Sequence, residues 1–154
     1  MGRPAAPPVR PFPDRPSRFV TPADGTPIAL FSSGEAAGGT RPLLLVHGTS
    51  GDHRTWRVVG PMLGQRRCLT AMDRRGRGDS GDATAWSIER EIEDVAAVAD
   101  ALAASSGWPV DVAGHSLGGR LALAAAASTP SIRRVVAYES APGRAEVDPA
   151  LVAR

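Results

Sequence analysis

Val110-Asp111-Val112-Ala113-Gly114-His115-Ser116-Leu117-Gly118-Gly119-Arg120-Leu121 is the stretch on which the reading of the fold turns. Its first four residues have the composition of a buried strand, and the segment from Leu117 to Ser128 is rich in the strong helix formers Leu and Ala. Between them stands Gly-x-Ser-x-Gly. A composition of 17 Gly in 154 residues yields such a pentapeptide by chance roughly 0.14 times per chain, so the pattern alone is weak. Its place between strand and helix is what gives it weight. A serine on a strand-to-helix corner is lifted above the sheet, and flanking glycines remove side chains that would crowd the turn. The rival reading is a glycine-rich helix entry in which Ser116 only caps.

Upstream, Leu43 to Val46 is an unbroken apolar run of the kind that a parallel strand covered on both faces shows. It ends in His47-Gly48-Thr49-Ser50-Gly51, a loop able to turn back under the corner. Acyl transfer needs two N–H groups converging on one oxygen, and those of Leu117, at the helix start, and Thr49 are the natural suppliers. Taken alone, His47-Gly48 is equally a strand-ending turn. Asp73-Arg74-Arg75-Gly76-Arg77-Gly78-Asp79-Ser80 imitates a phosphate site, but a chain without lysine cannot hold a P-loop, and Asp73 pairing with the arginines to brace a loop is the preferred reading.

The remaining pattern alternates strand and helix. Two short strands between Arg18 and Phe31 flank the hairpin-like Asp24-Gly25, and Ser32 to Arg41 reads as a loop. A helix is predicted over Thr55 to Leu63 and a fourth strand over Cys68 to Met72. An amphipathic helix follows with Ile88, Ile92, Val95, Ala99 and Leu102 on one face, Ser87 as cap, and Glu89 and Glu91 suiting its positive end. The fifth strand is Val110 to Ala113 and the sixth Arg133 to Tyr138. Such alternation predicts an α/β fold with a mostly parallel sheet, helices on both faces and a ligand site at the carboxyl ends of the strands.

Composition narrows the function classes. With 42% hydrophobic and 22% charged residues, 154 residues suit one soluble domain. No apolar run has the length of a membrane span, and the N-terminus lacks the apolar stretch of a secretory signal, so a cytoplasmic location is expected. Cys68, the single cysteine, reads as a packed residue of a core strand. Much of the net charge of +2 comes from Arg3, Arg10, Arg15 and Arg18, which argues against nucleic-acid binding by the folded part. Six prolines among the first 18 residues predict a flexible Pro/Arg-rich leader over 1–17.

Strand three with its His-Gly loop, the arginine-rich loop and the serine corner, in this order and spacing, resemble the alpha/beta-hydrolase fold family, in its serine-nucleophile, esterase and lipase-like branch. The resemblance covers Arg18 to about Pro142. It implies a hydrolase of carboxylic ester or related acyl bonds acting on a small molecule through an acyl-enzyme on Ser116, with the Leu117 and Thr49 N–H groups as oxyanion hole. His47, Gly48 and His115 are then expected to contact substrate, and Glu139, after strand six, is the available triad acid. Neither metal nor cofactor is implied. Serine at this position disfavours relatives that use an aspartate nucleophile. The family's base is a histidine following the acid, whereas the three histidines here are His47, His53 and His115. The expectation is therefore an N-terminal part of a hydrolase over 18–140, short of two strands and the base, with 141–154 opening a cap or linker. The alternative is an inactive remnant or interaction module pairing through the exposed strand-six edge.

Overall fold

The computed structural model describes residues 12–34, 41–64 and 67–140. The cap or linker expected over 141–154 and most of the predicted leader lie outside them. Six strands form one sheet: β1 (Arg18–Val20), β2 (Ile28–Ser33), β3 (Leu43–Val46), β4 (Leu69–Met72), β5 (Val110–His115) and β6 (Ile132–Tyr138), in the order β1-β2-β4-β3-β5-β6. β1 and β2 run antiparallel at one end, and β4, β3, β5 and β6 are parallel. From β3 the chain crosses to β4 on one side, and then to β5 on the other. That reversal opens a crevice beyond the carboxyl ends of β3 and β5, where ligands of such sheets bind.

Alternation along the strands divides the core. Leu44, Val46, Met72, Val110 and Val112 pack with Val95, Val98, Leu102 and Leu121 from α2 (Ile88–Ser106) and α3 (Leu117–Ala126). Leu43, Leu45, Leu69 and Ala71 turn to the opposite face and meet Trp56. Phe12 joins this second cluster and lies against Gly60, where a Cβ would come 2.6 Å from its ring. Ser17 donates its N–H to Leu30 O (2.7 Å) and its hydroxyl accepts from Ser32 N (2.9 Å). The predicted flexible leader is thus corrected over 12–17, which the sheet and the second cluster hold in place.

Other expectations shift. The helix predicted over Thr55 to Leu63 is broken into a 3-10 turn at His53–Trp56 and a five-residue α1 (Val59–Leu63). Pro61 suits only a first helical turn, where its missing N–H has no intrahelical partner, so a helix continuous from Thr55 is disfavoured. Asp24-Gly25 is not a two-residue hairpin but part of a longer connection between β1 and β2, in which Asp24 accepts from Thr26 N (3.0 Å) and Arg75 Nη1 (2.8 Å). Those donors hold its carboxyl down to about 2. Cys68 stands half-buried just before β4, and burial pushes its thiol up, away from the reactive thiolate.

The arginine-rich loop after β4 is braced by α2. Arg75 forks onto Asp94 through Nε (2.6 Å) and Nη2 (2.7 Å), both side chains being 1% exposed. Arg74 forks in the same manner onto Glu91, with Nη2 to Oε1 at 2.7 Å. Asp73, expected to pair with these arginines, instead accepts from His53 N (2.6 Å), His53 Nδ1 (3.0 Å) and Asp79 N (2.9 Å). Removing one member of a buried pair strands the other charge. Asp94→Ala, leaving Asp24 as Arg75's carboxylate partner, is expected to lower the unfolding free energy by about 3 kcal/mol in urea titration.

Candidate active site

The site is built on the corner between β5 and α3. Ser116 has φ 53° and ψ −121°, a conformation that sterics deny to most L-residues, and stands immediately before the first helical residue. Its main chain is pinned on both sides: Ser116 N–H donates to Tyr138 O (2.9 Å), and Ser116 O accepts from Gly119 N (3.1 Å) and Ser140 Oγ (2.8 Å). Its hydroxyl makes no capping bond, which disposes of the capping-serine reading. Two glycines make the corner possible. A Cβ at Gly118 would collide with Val46 O and lie 2.5 Å from His47 O, and one at Gly114 would collide with Gly118 O.

The loop after β3 closes on this corner. At Gly48 a Cβ would come 3.2 Å from both Ser116 Cβ and His115 Nδ1, so glycine there permits the approach. The result is an open cleft of about 340 Å³ lined by residues 48–51, Thr55, His115 and Ser116. Leu117 N, at the first helical position, has no partner within its helix, and among the described residues neither it nor Thr49 N donates to a protein acceptor. Four of the predicted site residues, Gly48, Thr49, His115 and Ser116, thus line one cleft, and Leu117 adjoins it.

His47 is corrected. It is fully buried and absent from the cleft lining. Arg74 N–H donates to its Nε2 (3.0 Å), so the ring proton is on Nδ1 and is donated to Gly48 O (2.8 Å). It shapes the loop without facing a ligand. Glu139 also has a positive φ, 51°, and its carboxylate lies 3.4 Å from His115 Nε2, outside the cleft lining. Asp52, His53 and Asp73 bring ligand-type atoms within 4.8 Å of one another, but the Asp73 oxygens are occupied by His53 and Asp79, and Asp52 caps the 3-10 turn through Arg54 N.

The sequence reading missed the part played by Glu91, which was assigned only to the helix dipole. Its signal was present: Glu91 precedes Val95 by four residues and Val98 by seven, which places a carboxylate on the apolar face of α2. An acid on that face calls for a buried cation.

A mostly parallel sheet with a strand-to-helix corner at its switch point is the architecture of the α/β hydrolases. The profile of the alpha/beta hydrolase family matches residues 43–154, and the chain belongs to that family. It is 37% identical to an alpha/beta hydrolase from Sphaerobacter thermophilus, with a TM-score of 0.70 over 86% of this chain and 48% of that one. The bottromycin epimerase BotH, solved with bottromycin A2, is 32% identical with a TM-score of 0.69 over 87% of this chain and 52% of its own. A probable oxidoreductase of Mycobacterium tuberculosis, EphD, is 35% identical over 105 residues, 66% of this chain and 17% of that protein. The chain spans from 17% to 44% of the length of the curated relatives it matches, and about half of these two solved structures. Among the described residues no helix is long and apolar enough to cross a membrane.

Two predictions follow from the local geometry. Glycine accepts a positive φ without strain, so Ser116→Gly is expected to raise stability by about 1 kcal/mol in chemical denaturation. Burial holds the His47 pKa below the ordinary 6.5, so the unfolded chain takes up a proton that the folded chain refuses. That contribution to stability is complete above pH 6.5 and is lost as the pH falls from there toward the depressed folded value. Thermal melts across this window should show the slope, and His47→Asn should flatten it.

Proposed function

We propose that this chain carries the nucleophile and oxyanion hole of a serine hydrolase acting on small carboxylic esters or related acyl compounds. The observation that carries the reading is Ser116: its backbone is held at a strained corner and its hydroxyl makes no capping bond, with the Leu117 and Thr49 N–H groups left without a protein acceptor among the described residues. Backbone strain of this kind persists only where the surroundings enforce it, and it concentrates at reacting centres.

Ser116 Oγ would attack the substrate carbonyl carbon, forming a C–O bond while the carbonyl electron pair moves onto oxygen. The N–H groups of Leu117 and Thr49 would stabilise that oxyanion, an interaction worth about 10² to 10³ in rate per donor. Collapse expels the alcohol, and water then releases the acid from the acyl-enzyme. The hydroxyl proton passes to a base, which returns it to the leaving alcohol oxygen as the acyl C–O bond breaks; the family resemblance assigns this base to a histidine later in the chain than the elbow. Within these residues His115, beside Glu139, is the histidine that lines the cleft. The hydroxyls of Thr49, Ser50 and Thr55 favour a compact polar acyl group over a long hydrocarbon chain.

Incubation with a fluorophosphonate probe followed by peptide mass spectrometry is expected to place the adduct on Ser116. Ser116→Ala should remove it without loss of the folded circular dichroism spectrum. A folded wild-type chain that takes up no probe would overturn the reading.

A further inference from the structure

We propose that Arg74 is a positioning residue for the Thr49 amide, acting through the carbonyl of Gly48; the inference rests on the serine-hydrolase reading above. A trans peptide unit is planar, with N–H and C=O directed oppositely. The direction of the Thr49 N–H is therefore set by whatever holds Gly48 O. Arg74 Nη1 donates to that oxygen at 2.8 Å, His47 Nδ1 donates at 2.8 Å, and Gly51 N lies at 3.5 Å. Turning this peptide over would take the acceptor from two buried donors and swing a carbonyl toward Ser116, where it would repel a developing oxyanion.

Arg74 can do this because it is itself fixed. Its remaining nitrogens hold Glu91, 1% exposed, and Glu91 Oε1 also accepts from Trp86 Nε1 at 2.7 Å. The chain of contacts thus runs from α2 through one guanidinium to the peptide that carries the oxyanion donor. The neighbouring pair supplies the contrast. Arg75 is equally buried and equally forked, but its donors end on Asp94, Asp24 and Arg90 O, none of which lines the cleft. Arg75 anchors the loop, whereas Arg74 anchors it and also aims an N–H.

The test uses the whole 154-residue chain, ¹⁵N-labelled, with a fluorophosphonate as covalent probe and phenylboronic acid as reversible oxyanion mimic. Arg74→Lys keeps a cation beside Glu91 but cannot reach both the carboxylate and Gly48 O. It is expected to slow Ser116 labelling about tenfold to a hundredfold. It should also weaken the boronate-induced shift of the Thr49 amide while the Leu117 amide responds as in wild type. Arg75→Lys, a matched buried substitution, should leave both responses and the labelling rate unchanged. Equal behaviour of Arg74→Lys and wild type, or equal slowing by the two variants, would overturn the proposal.

If Arg74→Lys does not fold, the wild-type chain decides: a nuclear Overhauser contact between the Thr49 amide proton and Ser116 Hβ supports the orientation, and its absence overturns it. Failure of the serine reading has a different signature. Wild type would then show neither labelling nor a boronate response at either amide, while the Overhauser contact still reports the set of the 48–49 peptide.

Discussion

Gly118 sits where the first turn of α3 crosses the end of β3, with the carbonyl oxygens of Val46 and His47 occupying the place of its absent side chain. This contact between two main chains is the constraint on which the site depends. It brings the β3 loop and the start of α3 together at the edge of one cleft. It also leaves the intervening residue little choice of conformation: β5 is fixed by parallel pairing to β3 and β6, α3 is fixed against β3, and Ser116 must join them at φ 53°. The strain at the serine is a consequence of packing elsewhere.

The same logic accounts for two buried ion pairs under the otherwise apolar face of α2. Burying a charge is expensive, and a paired, fully hydrogen-bonded guanidinium and carboxylate roughly offset that expense without adding much stability. Apolar side chains at 74, 75, 91 and 94 could pack α2 onto the loop as well. They could not present a donor to Gly48 O, nor could they hold the loop after β4 in the one conformation that puts Asp73 under His53. His47 belongs to this arrangement. Burial keeps its ring neutral, and a neutral ring can accept from Arg74 N while donating to Gly48 O.

How much of this was legible in the sequence follows from the range over which each interaction acts. The apolar runs at Leu43 to Val46 and Val110 to Ala113 and the helix periodicity after Ser87 are local, and they placed the strands, the crossovers and the carboxyl-end site. The serine corner was legible because its glycines are steric requirements written into five consecutive residues. What escaped depends on partners distant in the chain. Asp73 is six residues from Asp79 but twenty from His53, and Glu91 is seventeen from Arg74. Side-chain direction decided the rest: His47 and His115 both adjoin glycines at strand ends, yet one turns into the core and the other lines the cleft.

The fold leaves the reaction itself open, since proteins similar to this chain bear the names hydrolase, epimerase and probable oxidoreductase. What separates such activities must lie in groups that the shared sheet does not dictate. In this chain the sheet dictates the corner and the two amides, because both arise from main-chain packing. It does not dictate the serine, which any residue tolerating a positive φ could replace, nor the hydroxyls at 49, 50 and 55. A hydroxyl nucleophile set beside donors for a developing anion stabilises a tetrahedral adduct better than a planar carbonyl, and complementarity to that adduct lowers the barrier to acyl transfer. The strained backbone at 116 follows from packing whichever residue stands there, so it does not separate these chemistries; the proposed covalent reading rests on the hydroxyl that Ser116 places at that corner.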